Sequence, residues 1–88
     1  MNEFGDFDKN LTLLQEECSE IIRQICKIKR FGINDVNPST GKSNDKELIQ
    51  EIGDTLLIVD ILKENGMMTH RELEEAKQRK REKLKKWY

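Results

Sequence analysis

Apolar residues recur at alternating spacings of three and four positions along the first third of the chain, at Leu11, Leu14, Cys18, Ile21, Ile25 and Ile28. This period is that of an apolar stripe on an α-helix, and it predicts a first helix over residues 8–30. Cys18 and Cys26 are then predicted to be small residues of the core. The segment 31–44 is polar and holds the only proline of the chain, which predicts a loop that returns the chain.

A second helix is predicted over residues 45–65, with Gly66 as its terminating residue. Its half from Ile52 to Leu62 is apolar on nearly every side. A helix of this kind is surrounded rather than lying at a surface. A chain of 88 residues has too few other helices to surround it, so we expect a partner chain to cover part of this helix.

A third helix is predicted over residues 70–87, because Thr69 and Glu72 have the spacing of a capping box at its start. The apolar residues of this helix would share one face: Leu73, Ala76, Leu84 and Trp87. No alternation typical of strands appears along the chain. The sequence therefore predicts one all-α domain over residues 1–88, with three helices in each protomer.

Charge is divided unevenly along the chain, although the net charge is only −1. Residues 76–88 hold seven lysine and arginine residues and one acid, whereas the other sixteen acids precede this segment. The basic segment has no aromatic residue before Trp87, and the acidic remainder of the chain opposes binding to DNA. We therefore expect no nucleic-acid partner.

The sequence also predicts no contact with a membrane. No window approaches 18 uncharged apolar residues, and the acidic start of the chain lacks the apolar core of a secretory signal. Cys18 and Cys26 are separated by about 12 Å of helix rise, which is too far for a mutual disulfide. Reduced thiols favour a cytoplasmic location.

Two pairs of carboxylates occupy positions where negative charge is expensive. Glu17 and Glu20 share a face of the first helix, and Glu51 and Asp54 continue the inward stripe of the second helix. Such pairs repel each other unless something positive lies between them. All-oxygen ligation favours Mg²⁺, with Mn²⁺ as an alternative. The single histidine, His70, lies at the start of the third helix and has no ligand spacing.

The two acidic segments together resemble a known family pattern. The segment E-E-C-S-E at residues 16–20 and the segment E-I-G-D at residues 51–54 are similar to the motifs of MazG-type nucleotide pyrophosphohydrolases, an all-α superfamily. The flanks agree, because K-I-K-R-F-G at residues 27–32 resembles the end of the first helix in short phage-type members. The resemblance covers about residues 11–88.

The resemblance implies hydrolysis of a nucleoside or deoxynucleoside triphosphate to the monophosphate and pyrophosphate, as housekeeping of the nucleotide pool. It implies that Glu17, Glu20, Glu51 and Asp54 bind Mg²⁺, and that Glu16 is an auxiliary catalytic acid. We expect a homodimer or homotetramer in which helices of two chains make a four-helix-bundle core. A phage or bacterial source is expected, and for a phage protein the location is the host cytoplasm.

Four cations are candidates for binding the phosphates of the substrate: Lys80, Lys83, Lys27 and Arg30. Lys80 falls in the middle of the apolar stripe of the third helix, and Lys83 lies at its edge, as the resemblance implies for phosphate contacts. The alternative is that both lysines extend over the edge of the core into solvent. Phe31, Trp87 and Tyr88 are predicted to lie in the core or in a dimer interface, with stacking on a nucleotide base as the alternative.

A different function remains open at this point. The chain could be a non-catalytic helical module that forms a dimer and acts in interaction or regulation. The acids would then form a solvated surface or bind a partner. Turnover of a nucleotide in the presence of Mg²⁺ would distinguish the two functions.

Overall fold

A computed structural model describes residues 3–88 and contains three helices. They are α1 (Phe7–Phe31), α2 (Asn44–Glu64) and α3 (His70–Trp87). These bounds agree with the predicted ones to within one residue, and the all-α class is confirmed. Within residues 3–88 there is no strand, only an isolated bridge between Val36 and Ser43 in the loop.

The helix ends follow from local chemistry. The Asp6 carboxylate accepts a hydrogen bond from the backbone N–H of Lys9 at 3.0 Å and caps α1. The predicted capping box is confirmed at the start of α3, where Thr69 and Glu72 bond reciprocally. Gly32 adopts a φ of +97° immediately after α1, a conformation that glycine reaches without steric cost.

The helices α1 and α2 form an antiparallel hairpin. At one end the Asn44 side chain, which is 1% exposed, donates from Nδ2 to the Gly32 carbonyl at 2.9 Å. At the other end the Nδ2 atoms of Asn10 and Asn65 both donate to the Phe4 carbonyl, at 2.9 and 3.0 Å. The apolar core between these ends is small and consists of three buried side chains, Ile58, Ile61 and Leu62.

The face of α1 that packs on α2 overlaps only one edge of the predicted apolar stripe. It carries two buried polar residues, Asn10 and Gln24, and four half-buried ones: Leu14, Glu17, Ile21 and Ile28. Cys18 and Cys26 are exposed, so their prediction as core residues is wrong. The physical reason is that a single neighbour, α2, covers only part of the apolar stripe. The uncovered part is available to something outside the chain.

The two sides of the hairpin differ in chemistry. Exposed apolar residues follow one flank of α1 (Cys18, Ile22, Ile25) and one flank of α2 (Ile49, Ile52, Leu56). An α-helix turns by about 100° per residue. Counted in this way, both stripes lie in the same rotational direction from the face that packs on the other helix. Since the helices are antiparallel, both stripes lie on the same side of the hairpin, which we name the apolar side. The acidic side is the opposite one and carries Glu20, Glu47 and Asp54, together with the exposed Leu57.

The third helix extends away from the hairpin. The described chain measures 41 × 39 × 16 Å, and its radius of gyration of 15.8 Å exceeds the value of about 12 Å for a compact chain of this length. Lys80 and Lys83 are exposed, so the prediction that Lys80 lies in an inward stripe is wrong for the single chain. Only Leu73 and Leu84 of α3 are half-buried. None of the described helices is long and apolar enough to cross a bilayer.

The aromatic residues lie at the surface of the chain. Phe31, Trp87 and Tyr88 are 59%, 78% and 93% exposed. Their prediction as residues of the core is therefore wrong for the isolated protomer, and the alternative location in an interface between chains stays a prediction. Trp87 and Tyr88 contact each other edge to face, with ring centroids 5.3 Å apart.

Candidate active site

Three carboxylates from the two helices of the hairpin meet where α1 crosses the middle of α2. Glu17 on α1 and the pair Glu51 and Asp54 on α2 each have an oxygen within 4.8 Å of the others. Glu51 and Asp54 lie three residues apart and therefore share a helix face. Glu17 reaches them because the packed face of α1 is the one that bears Glu17 and Gln24. The structure therefore brings together three of the four predicted ligands.

The negative charges of the cluster destabilise one another. Partial burial raises the pKa of the Glu51 carboxyl, and a hydrogen bond with Glu17 raises it further. The charges of Glu17, Asp54 and Glu20 act in the same direction. Glu17 Oε2 is buried and has no hydrogen-bond partner within the described residues. A buried acceptor without a donor costs free energy, so the cluster is suited to a positive ligand.

These residues fit a divalent cation. The donor set consists of carboxylate oxygens alone, which hard cations such as Mg²⁺ and Mn²⁺ prefer. Glu17 Oε2 has no hydrogen-bond partner in the described part of the chain and is available to a cation. The oxygens of the three acids lie within 4.8 Å of one another, close enough to contact the same ion. Glu17, Glu51 and Asp54 are the residues that would hold the ion.

The other two predicted acids lie outside the three-residue cluster. Glu20 is half-buried on the acidic side and pairs with Arg23, with 3.7 Å between its Oε2 and the Arg23 Nη1 atom. Its charge nevertheless acts on the Glu51 carboxyl, so it lies nearby. Glu16 is exposed, and its carbonyl accepts a hydrogen bond from the Ser19 hydroxyl at 2.7 Å. The roles predicted for Glu20 and Glu16 stay predictions.

A second polar contact between the helices lies about one turn from the cluster along α2 and nearly three turns from it along α1. The Lys27 Nζ atom is 3.8 Å from the Glu47 Oε1 atom, and both side chains are largely buried, at 27% and 14% exposure. Gln24 is 5% exposed, and its Oε1 atom has no hydrogen-bond partner among the described residues. The structure thus places Lys27 beside an acid of α2, and its role as a phosphate ligand stays a prediction.

The loop between α1 and α2 contributes residues that the sequence argument missed. A cavity of about 70 Å³ is lined by two loop residues and three residues of α2: Thr40, Lys42, Glu47, Gln50 and Glu51. Glu51 thus belongs both to the carboxylate cluster and to this cavity. No sequence signal identified Lys42, because its approach to α2 depends on how the loop folds back.

The remaining predicted cations lie away from the cluster. Lys80 and Lys83 line an open groove of about 320 Å³ on α3, together with Leu84 and Trp87. The Arg30 guanidinium is exposed and lies 5.9 Å from the centre of the Phe31 ring. The cavity that Glu51 lines with Thr40 and Lys42 is a different one from the groove of Lys80 and Lys83.

The fold and the site together define an all-α protein with a carboxylate cluster between two antiparallel helices. The family model of the MazG nucleotide pyrophosphohydrolase domain matches residues 6–86, nearly the whole chain, and the chain belongs to this family. No curated protein and no solved structure matches it significantly. The predicted family is thereby confirmed, and with it the general class of hydrolases that act on phosphoanhydrides.

Proposed function

We propose that the chain is a Mg²⁺-dependent hydrolase that converts a nucleoside or deoxynucleoside triphosphate into the monophosphate and pyrophosphate. Its role would be housekeeping of the nucleotide pool. The observation that carries this proposal is the convergence of Glu17, Glu51 and Asp54 within 4.8 Å in a chain of the MazG family. Phosphoryl chemistry needs positioning and charge neutralisation more than a protein nucleophile, and this arrangement suits that need.

Each acid has a distinct part in the proposal. Glu17, Glu51 and Asp54 hold Mg²⁺, and Glu20 completes the set from the acidic side of α1. When bound, the cation neutralises phosphate charge and makes water a better nucleophile. Glu16 is the auxiliary acid that orients this water, because it is exposed next to Glu17.

The proposal is tested by incubating the protein with each common nucleoside and deoxynucleoside triphosphate and Mg²⁺. Monophosphate and pyrophosphate are the expected products. Glu51→Gln and Asp54→Asn should each lower turnover by about 100-fold or more, since each removes a ligand of the cation.

The matched control is Glu64→Gln, which changes an exposed acid on the same helix and should leave turnover unchanged. Absence of turnover with every nucleotide would contradict the proposal and favour the non-catalytic interaction module. Equal turnover in the wild type and in both site variants would contradict the assignment of the site.

We also propose that a second copy of the chain covers the apolar side of the hairpin. The exposed residues there include Ile22 at 64% and Leu56 at 58%, which is unfavourable for an isolated protomer. Two hairpins that meet through their apolar sides would form a four-helix core and leave both acidic sides accessible. The assembly would be a homodimer, or a homotetramer built from two such dimers.

A further inference from the structure

We propose that Lys42, with Thr40, forms a phosphate subsite on the α1–α2 loop that takes the pyrophosphate part of the substrate. The inference rests on the proposed function. In this proposal, the α1–α2 loop forms one side of the site and contacts the polyphosphate. The cations on α3 are then not needed for this contact.

Lys42 lies next to the carboxylate cluster. Lys42 and Thr40 line the same cavity as Glu51, which is a member of the carboxylate cluster. Lys42 also contacts Gln50, which is rotated toward the acidic side of α2. A polyphosphate held by a cation in the cluster would therefore find Lys42 at its border.

The charged group of Lys42 contacts a neutral side chain and not an acid. Its Nζ atom donates a hydrogen bond of 2.6 Å to the Gln50 Oε1 atom, which is a neutral acceptor. Among the described residues, no carboxylate lies within ion-pair distance of Lys42. Lys27, by contrast, already faces Glu47. Lys42 is thus a cation that lines this cavity without an ion pair, and a phosphate oxygen could replace the neutral Gln50 as its acceptor.

The backbone around Lys42 is ordered before any ligand arrives. Its N–H donates to the Thr40 Oγ1 atom at 3.2 Å, and its carbonyl accepts from the Asn37 N–H at 2.9 Å. Gly41 adopts a φ of +73°, which the tight turn requires. Only the side chain has to move from Gln50 to a phosphate oxygen, so little conformational entropy is lost on binding.

The acids of the cavity make binding dependent on a cation. Glu47 and Glu51 would repel a phosphate group if no positive charge were present. A divalent ion held by the carboxylate cluster reduces this repulsion. The subsite should therefore bind pyrophosphate in the presence of Mn²⁺ and not in the presence of a chelator.

Calorimetric titration of the full chain with inorganic pyrophosphate, at saturating Mn²⁺, tests the inference. Lys42→Ala should weaken pyrophosphate binding by about ten-fold or more, because a charge-assisted hydrogen bond is lost. Titration with Mn²⁺ alone should give the same affinity in this variant as in the wild type. Lys42→Arg should restore most of the pyrophosphate affinity, since it restores the charge.

Two controls separate a substrate contact from a structural role. Gln50→Ala removes the resting partner of Lys42, and Lys46→Ala removes a nearby exposed lysine of α2; each should keep pyrophosphate affinity within about two-fold. If Gln50→Ala reproduces the loss, Lys42 is only a structural tether and the inference is wrong. Unchanged binding in Lys42→Ala, or no binding by the wild type, overturns it equally.

Turnover measurements on the same proteins keep the two proposals distinguishable. If the wild type hydrolyses a triphosphate and Lys42→Ala keeps the same KM, the subsite is wrong and the proposed function stands. If the wild type binds pyrophosphate through Lys42 but hydrolyses no nucleotide, the proposed function is wrong and the subsite stands.

Discussion

Glu51 is held in a setting that favours its protonated form as long as no cation is present. The hairpin partly buries its carboxyl, Glu17 hydrogen-bonds with it, and the charges of Asp54 and Glu20 add to the effect. Its pKa is therefore raised above 4.5, the ordinary value for a glutamate. Protons and a divalent cation compete for this carboxyl, so binding of the cation should strengthen as the pH rises through the pKa of Glu51.

The raised pKa predicts how stability depends on pH in the presence of a chelator. A carboxyl whose pKa is higher in the folded state contributes stability below its unfolded pKa and loses it as pH rises through the folded pKa. From pH 4.5 upward, the wild type should therefore lose stability relative to Glu51→Gln. Urea unfolding of both proteins between pH 4 and 8 measures this difference. A constant difference across the range would contradict the electrostatic explanation.

Glu17 and Glu16 are adjacent in sequence but differ in environment, which predicts different effects on cation binding. Glu17 is half-buried with an unpartnered Oε2 atom, whereas Glu16 is exposed. Glu17→Gln should weaken Mn²⁺ binding by about ten-fold or more, because it removes a ligand. Glu16→Gln should change the affinity by less than about two-fold, since an auxiliary residue does not hold the ion. Equal losses in the two variants, measured by calorimetry, would show that the assignment is mistaken.

At the scale of elements, apolar periodicity together with Gly66 and the capping box of Thr69 and Glu72 was sufficient to place all three helices. The spacing of Glu51 and Asp54 also predicted that they share a face, because helix geometry fixes this locally. The orientation of α1 could not be predicted in the same way. Its apolar stripe through Cys18 is wider than the contact with α2, so the period alone did not show that Gln24 would be buried and Cys18 exposed.

Contacts that depend on the path of the loop could not be predicted from the sequence either. Lys42 reaches Gln50 because the bridge between Val36 and Ser43 folds the loop back toward α2. A pattern of apolar spacing contains no information about such a return. The same holds for the pairing of Lys27 with Glu47, which depends on the register between the two helices.

The junction between α1 and α2 predicts a specific loss of stability. Asn44 is 1% exposed, and its Nδ2 atom donates to the carbonyl of Gly32 at 2.9 Å. Asn44→Ala should lower the free energy of unfolding by about 1–3 kcal/mol, because the packing of a buried side chain and its hydrogen bond to Gly32 are both lost. Asn34→Ala, at an exposed loop position, is the control and should have little effect. Thermal unfolding followed by circular dichroism would contradict this explanation if both variants lost equal stability.

The whole molecule combines a small core with a large exposed apolar surface. Among residues 3–88, only Ile58, Ile61 and Leu62 are buried apolar residues, and this part of the chain is flat, with a shortest dimension of 16 Å. A chain of this length gains little from its own core. The separation of the apolar side from the acidic side means that a second copy can bury the first without blocking the second. In the proposed dimer, assembly and catalysis would therefore use different surfaces of the chain.

The apolar side predicts the effect of a charge placed on it. Leu56 is 58% exposed, so Leu56→Asp should cost the single chain little stability. In a dimer, the new carboxylate would be buried and would be repelled by the same carboxylate of the second copy. Light scattering after size exclusion should give twice the mass of one chain, or a larger multiple, for the wild type and a lower mass for this variant. Ile33→Asp, at a loop position with 55% exposure, should keep the wild-type mass. A monomeric wild type, or a Leu56→Asp protein with unchanged mass, would show that the apolar side does not join two copies. Because the variant leaves the three cluster acids in place, its Mn²⁺ affinity reports whether the carboxylate cluster forms within a single chain.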